Sequence, residues 1–413
     1  MVILFSPVAS AKPSGMSLAD CYHAALKHSD EVAISDEEIH QAETQFTQAL
    51  GSVLPKIALL VKEELQDPAS TTSATNTFQQ TFTRLSTPSV AVNMQVPIFH
   101  GFKEFQALKL SRANEAQKAL LKKDVERLLM EDVAVSFFTI ANIERDIQTT
   151  QKILRTSQSQ LGELKKFVDL GKSRESELAQ QQTSIALLDA DIEQKKGDLK
   201  VAYELMSFFT GLDPQPKIQL EDPVSEKLEP KDYYVERSYA RADVQAAQQG
   251  ITLAQGEVKL RKGDLYPQVD LDANYYPYRV GFLKEIKWDT TISMNAPLFN
   301  WESIGLIREA KSKEKQAELR AEQTRRLAET EIKRSYDSYQ SSRNQYGKYQ
   351  TAATLAQKTY DLQLGDFRLG LINNLDVLVT QRTWFDALRQ RDVAETSVWL
   401  DWFKLMVRSG VMP

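Results

Sequence analysis

The chain is short of several things, and each shortage excludes something. It has one cysteine, Cys21, in 413 residues, so no disulfide forms within the chain. No stretch approaches 18 consecutive apolar residues, which excludes a membrane-spanning helix but not a membrane β-barrel, whose strands are short and alternating. The net charge of −5 offers no basic footprint for nucleic acid. The four histidines, His23, His28, His40 and His100, all fall in the first quarter of the chain, and His23 and His28 do not share a helix face. There is no glycine-rich phosphate loop, no GxSxG elbow and no CxxC pair. No catalytic, metal-binding or cofactor-binding constellation is legible, so an enzyme is not the expectation.

Proline is missing in a more telling way. None lies between Pro97 and Pro214, and none between Pro297 and Pro413. Proline breaks helix interiors, so each gap has room for long helices. Glycine is sparse in both gaps, but Leu170-Gly171 and Leu369-Gly370 read as helix C-termini. Each gap therefore reads as two helices with a tight turn: residues ~99–170 and ~174–211 in the first, ~300–369 and ~373–408 in the second. The first of each pair would run roughly 100 Å and must pack lengthwise against others. Residues 308–350 are strongly polar, with alanine filling much of the rest. That suits a helix with water on two sides and narrow seams to its neighbours, as in the wall of a hollow cylinder. An exposed coiled coil fits this stretch alone equally well.

Before each gap the period shortens to two. PSVAVNMQVP (88–97) sets Val90, Val92, Met94 and Val96 against Ser89, Ala91, Asn93 and Gln95. WDTTISMNAP (288–297) and PQVDLDANYYP (267–277) alternate in the same way, and PKIALLVKEEL (55–65) does so less cleanly. Four half-buried strands are expected, at ~55–66, ~81–97, ~267–277 and ~288–297, each near the length of a tilted bilayer span. Loops separate them: the polar, Thr-rich DPASTTSATNTFQQ (67–80) in the first pair, and YRVGFLKEIK (278–287) linking the second. QVPIFHGF (95–102) and NAPLFNWE (295–302) then spell proline-apolar-phenylalanine twice. Pro97, Phe99, Pro297 and Phe299 are thus expected where strand gives way to helix, a place where a missing N–H costs little. His100 at that junction reads as an ordinary polar interface residue.

The order helix, strand, strand, long helix, turn, helix occurs twice. Leu54-Pro55 and Tyr266-Pro267, Pro97 and Pro297, Gly171 and Gly370, and Gly211 and Gly410 are offset by 212, 200, 199 and 199 residues. Two repeats are expected, 16–213 and 232–413, with a proline-rich connector at 214–231. Residues 1–15 carry an apolar run and Ala9-Ser10-Ala11, a cleavage-like pattern without a positive n-region, and read as residual export signal. Asp20 occupies the small-residue position of a lipoprotein box, so Cys21 reads as a helix cysteine beside Ala24 and Ala25.

SLADCYHAALKHS (17–29), the duplicated strand-proline-apolar-phenylalanine signature, and Leu-Gly followed six residues later by an acid (Gly171 to Glu177, Gly370 to Asp376) together resemble the TolC-like outer-membrane efflux protein family. The resemblance runs from about Ser17 to Gly410. It implies a mainly α fold with membrane β-structure. Four strands per chain would contribute to a homotrimeric twelve-stranded β-barrel in outer-membrane lipid, continuous with a long α-helical barrel in the periplasm. The implied function is the exit duct of a tripartite efflux or type I secretion system. A periplasmic adaptor and an inner-membrane pump of RND, ABC or MFS type would open it. The competing expectation is a periplasmic coiled-coil scaffold or adaptor without a channel.

In a trimer, Asp376 and Glu177 would each form a ring of three charges at the inner mouth, favouring cations. The resemblance makes Asp376 the stronger candidate. Helix-end acids stabilised by the helix dipole are the plainer reading. Some relatives close the mouth with a tyrosine three residues before the glycine and an arginine two after it. Phe367 and Ile372 stand there instead, so an apolar constriction is expected. The turns themselves, Leu170, Gly171, Lys172, Ser173 and Arg174 with Leu369, Gly370, Leu371, Asn373 and Asn374, are the expected adaptor-docking surface.

Overall fold

A computed structural model describes residues 15–65, 86–213, 216–220, 228–281 and 283–410. The export-signal reading, the 67–80 loop, the start of the second expected strand and half of the connector lie outside them. The order is α1 (Leu18–His28), α2 (Asp30–Gly51), β1 (Lys56–Leu65), β2 (Ser86–His100), α3 (Lys103–Asp169), α4 (Glu175–Thr210), α5 (Lys231–Glu236), α6 (Ala242–Lys262), β3 (Gln268–Arg279), β4 (Trp288–Asn295), α7 (Trp301–Arg368) and α8 (Asn374–Arg408). The chain folds into two compact units. One comprises Ser35–Leu121 and Gln245–Thr324, the other Met1–Ile34, Lys122–Val244 and Arg325–Pro413. Each draws on both halves of the sequence.

The first unit holds one antiparallel sheet in the order β1-β2-β3-β4. Register places Leu59 opposite Val92, Val92 opposite Tyr275, and Tyr275 opposite Trp288. Two rows lower, Leu271 faces Val96 on one side and Ile292 on the other. Because the side-chain period is two, these rows make one face apolar from edge to edge. Four helices accompany the sheet. Asn114 donates to Gln45 Oε1 at 2.9 Å and Arg112 lies over Phe46, which ties α3 to α2. Gln117 donates to the Ala246 carbonyl at 3.0 Å, which ties α3 to α6.

The ladder slips twice, between Val90 and Val92 and between Pro97 and Phe99. A proline sits at each slip, Pro277 in β3 and Pro97 in β2. Having no N–H, proline cannot supply its ladder bond, and a bulge absorbs the defect. This corrects the expectation for the first junction. Pro97 does not end β2, which runs on through Phe99 to His100. Pro297 does lie in the linker between β4 and α7.

The second unit is helical and holds three apolar clusters. One joins α1, α3, α4 and α8 through Cys21, Val133, Phe137, Ile140, Met206 and Phe403. Another surrounds Tyr234, Ile332 and Leu405. The third holds Leu164, Tyr360, Phe367 and Val377. The buried seam of α7 is narrow and built largely of alanine and tyrosine. Ile332, Tyr339, Ala353, Tyr360 and Phe367 are all buried at multiples of seven residues. Ionic ties reinforce the clusters: Arg408 donates to Glu131 Oε2 at 2.8 Å, and Arg127 to Glu131 Oε1 at 2.8 Å.

Cys21 is fully buried. Burial pushes its thiol up to about 11, with the neighbouring Asp20 carboxylate adding to the effect. The native protein is therefore expected to resist maleimide labelling at neutral pH and to take up one equivalent once unfolded. Labelling of the folded protein would show that α1 opens.

Candidate functional site

Two places concentrate functional chemistry. The first is the sheet. Its apolar face is exposed within the chain: Ile57, Leu59 and Val61 of β1, and Ile292 and Met294 of β4, are all more than 60% accessible. Aromatics rim that face at both ends. Tyr275, Tyr278 and Trp288 occupy one rim, and Phe99, Phe102, Phe299 and Trp301 gather at the other. The bulges help to build both rims. The first pairs Tyr278 with Val90 and Tyr275 with Val92, so both tyrosines join the apolar face. The second pairs Phe99 with Val269 on that face, while His100 takes the other beside Gln268. Outward apolar side chains between aromatic rims are what a lipid bilayer requires of a strand surface.

The opposite face is polar and internally bonded. Asn93 donates to Asp272 Oδ1 at 3.0 Å and to Asn274 Oδ1 at 2.8 Å. Asn274 donates to Asp289 Oδ1 at 2.9 Å, and Gln95 to Asp272 Oδ2 at 3.2 Å. These bonds fix β2, β3 and β4 in register. The outer edges of β1 and β4 pair with no other strand among the described residues.

The second place is the pair of helix turns. Gly171 and Gly370 adopt φ of 69° and 76°, in the left-handed region. Both turns close identically. Gly171 N–H bonds Val168 O at 2.8 Å and Lys172 N–H bonds Phe167 O at 2.8 Å; Gly370 bonds Phe367 O and Leu371 bonds Asp366 O, both at 2.9 Å. This 5→2 and 6→1 pattern is the Schellman motif, and it leaves Leu170, Leu369 and Leu371 about 70% exposed. Ser173 donates to Glu177 Oε2 at 2.6 Å, while Asn373 caps α8 by accepting from Asp376 N–H at 3.1 Å. Lys172, Arg174 and Asn373 are exposed, Ser173 and Glu177 half-buried, and the exposed Asp376 sits in the first turn of α8.

Three expectations need correction here. Phe367 is buried, edge-on to Phe167 with ring centroids 5.3 Å apart, and belongs to the third cluster. Ile372 packs against the same cluster. Both candidates for a constriction are drawn into the chain's own packing, because a helix end with few other apolar groups buries those it has. Asn374, expected on the docking surface, is fully buried. Around them, Arg368 grips Glu163 with two bonds at 2.8 and 3.0 Å, and the hydrogen-bonded carboxylate holds the guanidinium above its ordinary value. Burial raises the Tyr360 hydroxyl, and its ring stacks on Trp384 at 5.0 Å.

Sequence reading missed a polar layer between α3, α4 and α8. Asp146 pairs with Lys195, Arg389 with Asp191, and Thr149 donates to Asp392 Oδ2 at 2.6 Å. Gln381 donates to Gln160 Oε1 at 2.7 Å. Beside this layer a groove of ≈ 530 Å³ runs between α4 and α8, lined by Leu187, Leu375, Val379, Arg382, Phe385 and Asp386. No helix is long and apolar enough to cross a membrane among the described residues, and none of their His, Cys, Asp and Glu side chains cluster as a metal site.

With this geometry in hand, comparisons with known proteins are specific. The profile of the family described as outer membrane efflux protein matches residues 21–211 and 238–406. Among solved structures, the chain is similar to CusC, in a study of folding and transmembrane channel formation, with TM-score 0.84, 17% identity and coverage of 95% of this chain and 91% of that one. It is similar to the outer membrane protein VceC of Vibrio cholerae, with TM-score 0.81, 18% identity and coverage of 95% and 96%. It is also similar to the CmeC outer membrane channel of Campylobacter jejuni, with TM-score 0.80, 15% identity and coverage of 100% and 93%. Sequence comparison with curated proteins returned no match.

Replacing Phe367 by Ala is expected to destabilise the helix ends by about 3 kcal/mol through lost burial and the cavity left behind. Amide exchange around both turns would rise, whereas a surface constriction residue would leave it unchanged.

Proposed function

The chain belongs to the outer membrane efflux protein family, and we propose that three copies form a passive exit duct through the outer membrane. The observation that carries this reading is the sheet: apolar and aromatic-rimmed on one face, polar on the other, with its outer edges unpaired. Four strands are too few to close a barrel, and an open edge in lipid leaves backbone groups without partners. Three copies joined β1 to β4 supply twelve strands and no edge. The polar face, with Asp270, Asp272 and Asp289, then lines the lumen. A coiled-coil scaffold without a channel would give neither the apolar face nor the aromatic rims a use.

The helices carry the duct onward into the periplasm, where it opens through partners, since the sequence has no nucleotide-binding motif. An adaptor docks on the exposed leucines of the two turns and in the groove between α4 and α8. That groove offers Leu187, Leu375 and Val379 between the charges of Arg382 and Asp386, which suits an amphipathic helix. An inner-membrane pump supplies the energy. At the mouth, three copies of Asp376 form a ring favouring cations. Glu177 is the weaker candidate, because Ser173 already holds one of its oxygens.

The mass of protein extracted from outer membranes in mild detergent, corrected for bound detergent, is expected to be that of a trimer. A monomer or dimer in the soluble periplasm would favour the scaffold. In planar bilayers Asp376→Asn is expected to lower cation preference markedly and Glu177→Gln to lower it little. Unchanged selectivity in Asp376→Asn would remove the ring from the mechanism.

A further inference from the structure

One polar cluster enters this reading only through Asp270 at the border of the polar face. It lies where the sheet meets the helices of its own unit. His100 is the last residue of β2, and α3 begins three residues later. Its Nε2 is 2.8 Å from Asp270 Oδ1 on β3, and its Nδ1 is 2.9 Å from Glu104 Oε1 on α3. The imidazole is about one-quarter exposed and Glu104 about one-tenth. The Pro97 bulge creates the arrangement: it turns His100 onto the polar face, opposite Gln268 and beside Asp270.

Donor arithmetic gives the contact its meaning. A neutral imidazole carries one N–H and one lone pair; only the doubly protonated ring donates from both nitrogens. Two carboxylates at hydrogen-bonding distance, one on each nitrogen, need two donors. With a single N–H, one carboxylate oxygen faces a lone pair, and that tie turns repulsive. The other charged groups nearby do not replace the missing donor. Lys103 on α3 pairs with Asp264 in the turn before β3, and Lys56 at the start of β1 lines the same ≈ 330 Å³ pocket as His100, Glu104 and Asp270.

We propose that His100 is a proton-dependent clasp that joins sheet to helix by holding Asp270 and Glu104 at once. With two ring protons it fixes the start of α3 to β3. As pH rises and one proton leaves, one of the two ties is lost and the junction loosens. His100 is thus a positioning residue, acting through the two carboxylates. The clasp rests on geometry within one unit and holds whether or not Asp376 forms a ring or an adaptor docks.

The test uses the full-length protein in lipid vesicles with nitrogen-15 in its histidines. Only four are present, and His100→Gln identifies the signal. Solid-state spectra across a pH series follow the number of ring protons. Amide exchange, corrected for its intrinsic pH dependence, follows the backbone at Phe99–Lys103 and Val269–Leu271. The expected result is one step: the His100 signal passes from two N–H groups to one as exchange in both segments rises at least severalfold. In His100→Gln the pH step in exchange disappears. Asp270→Asn keeps the ring but replaces the carboxylate by an amide, which can accept from an Nε2–H or donate to its lone pair; it is expected to abolish the step too, and carries the test alone should His100→Gln fail to assemble. A ring with one N–H throughout the series, or junction exchange that ignores the proton, overturns the clasp. Neither outcome depends on trimer mass or ion selectivity, so the duct can fail independently of it.

Discussion

Backbone hydrogen bonding in lipid is the constraint on which the rest of this structure depends. Water satisfies an unpaired strand edge in a soluble protein, but hydrocarbon does not. The four strands here satisfy one another internally and leave the outer sides of β1 and β4 open. Those strands have lost nearly all burial within their own chain, and their apolar side chains stand exposed. The arrangement is costly for an isolated molecule and reasonable for one third of a closed wall. The constraint also governs the prolines. Pro97 and Pro277 sit in strands, yet each lies at a bulge near a rim of the sheet, where a missing N–H is tolerated. The bulges in turn bring Tyr278 and Phe99 onto the apolar face and His100 onto the polar one. A defect in the ladder thereby becomes the means of aiming side chains at both borders of the sheet.

The helices answer a different constraint, that of long surfaces wetted on more than one side. A broad apolar face would aggregate, and a wholly polar helix would not pack. The solution in α7 is a narrow seam, buried at spacings of four, three and four residues from Ala328 to Tyr339 and carried mostly by alanine and tyrosine, with Ile332 and Phe367. Tyrosine and alanine keep the helices close without much apolar surface, and polar pairs complete the contact. Arg408, Glu131 and Arg127 form one such set; Asp146, Lys195, Asp191 and Arg389 form another. Pairs of this kind contribute little net energy but penalise misregister strongly, because a one-turn slip strands a half-buried charge. They therefore fix the alignment of helices whose apolar seams alone would be permissive.

Much of this was legible in the residues. Period-two alternation located β1, β3 and β4 to within a residue or two, because each strand is two-faced and its pattern is local. The Leu-Gly pairs located both turns, since a left-handed backbone at a helix end strongly favours glycine. The failures share a physical cause. The Pro97 bulge depends on what lies across the sheet, in β3, 170 residues later. The inward turn of Phe367 depends on Phe167, and the burial of Asn374 on packing between helices. The pairs of the polar layer lie far apart in sequence, Thr149 and Asp392 by 243 positions. One-dimensional periodicity reports which residues share a face, but not which face of which partner they meet. The same limit made His100 look ordinary: Asp270 comes near it only through the slipped register of the ladder.

The two helix turns share a backbone and differ beyond it. They match bond for bond, so the glycine and the two closing hydrogen bonds are fixed by geometry in both. The residues just beyond are not so constrained, and they differ. In the first turn Ser173 reaches Glu177 and occupies one carboxylate oxygen; Arg174 stands at the N-cap of α4 and makes no side-chain cap bond. In the second, Asn373 caps the backbone itself, so the Asp376 carboxylate is not needed to finish the helix. An acid that completes a helix end is committed to structure, while one relieved of that task by a neighbouring cap is available to act on what passes. A carboxylate six residues past each turn glycine, Glu177 in one turn and Asp376 in the other, thus stands in two different settings, and the residues just before each helix set the difference.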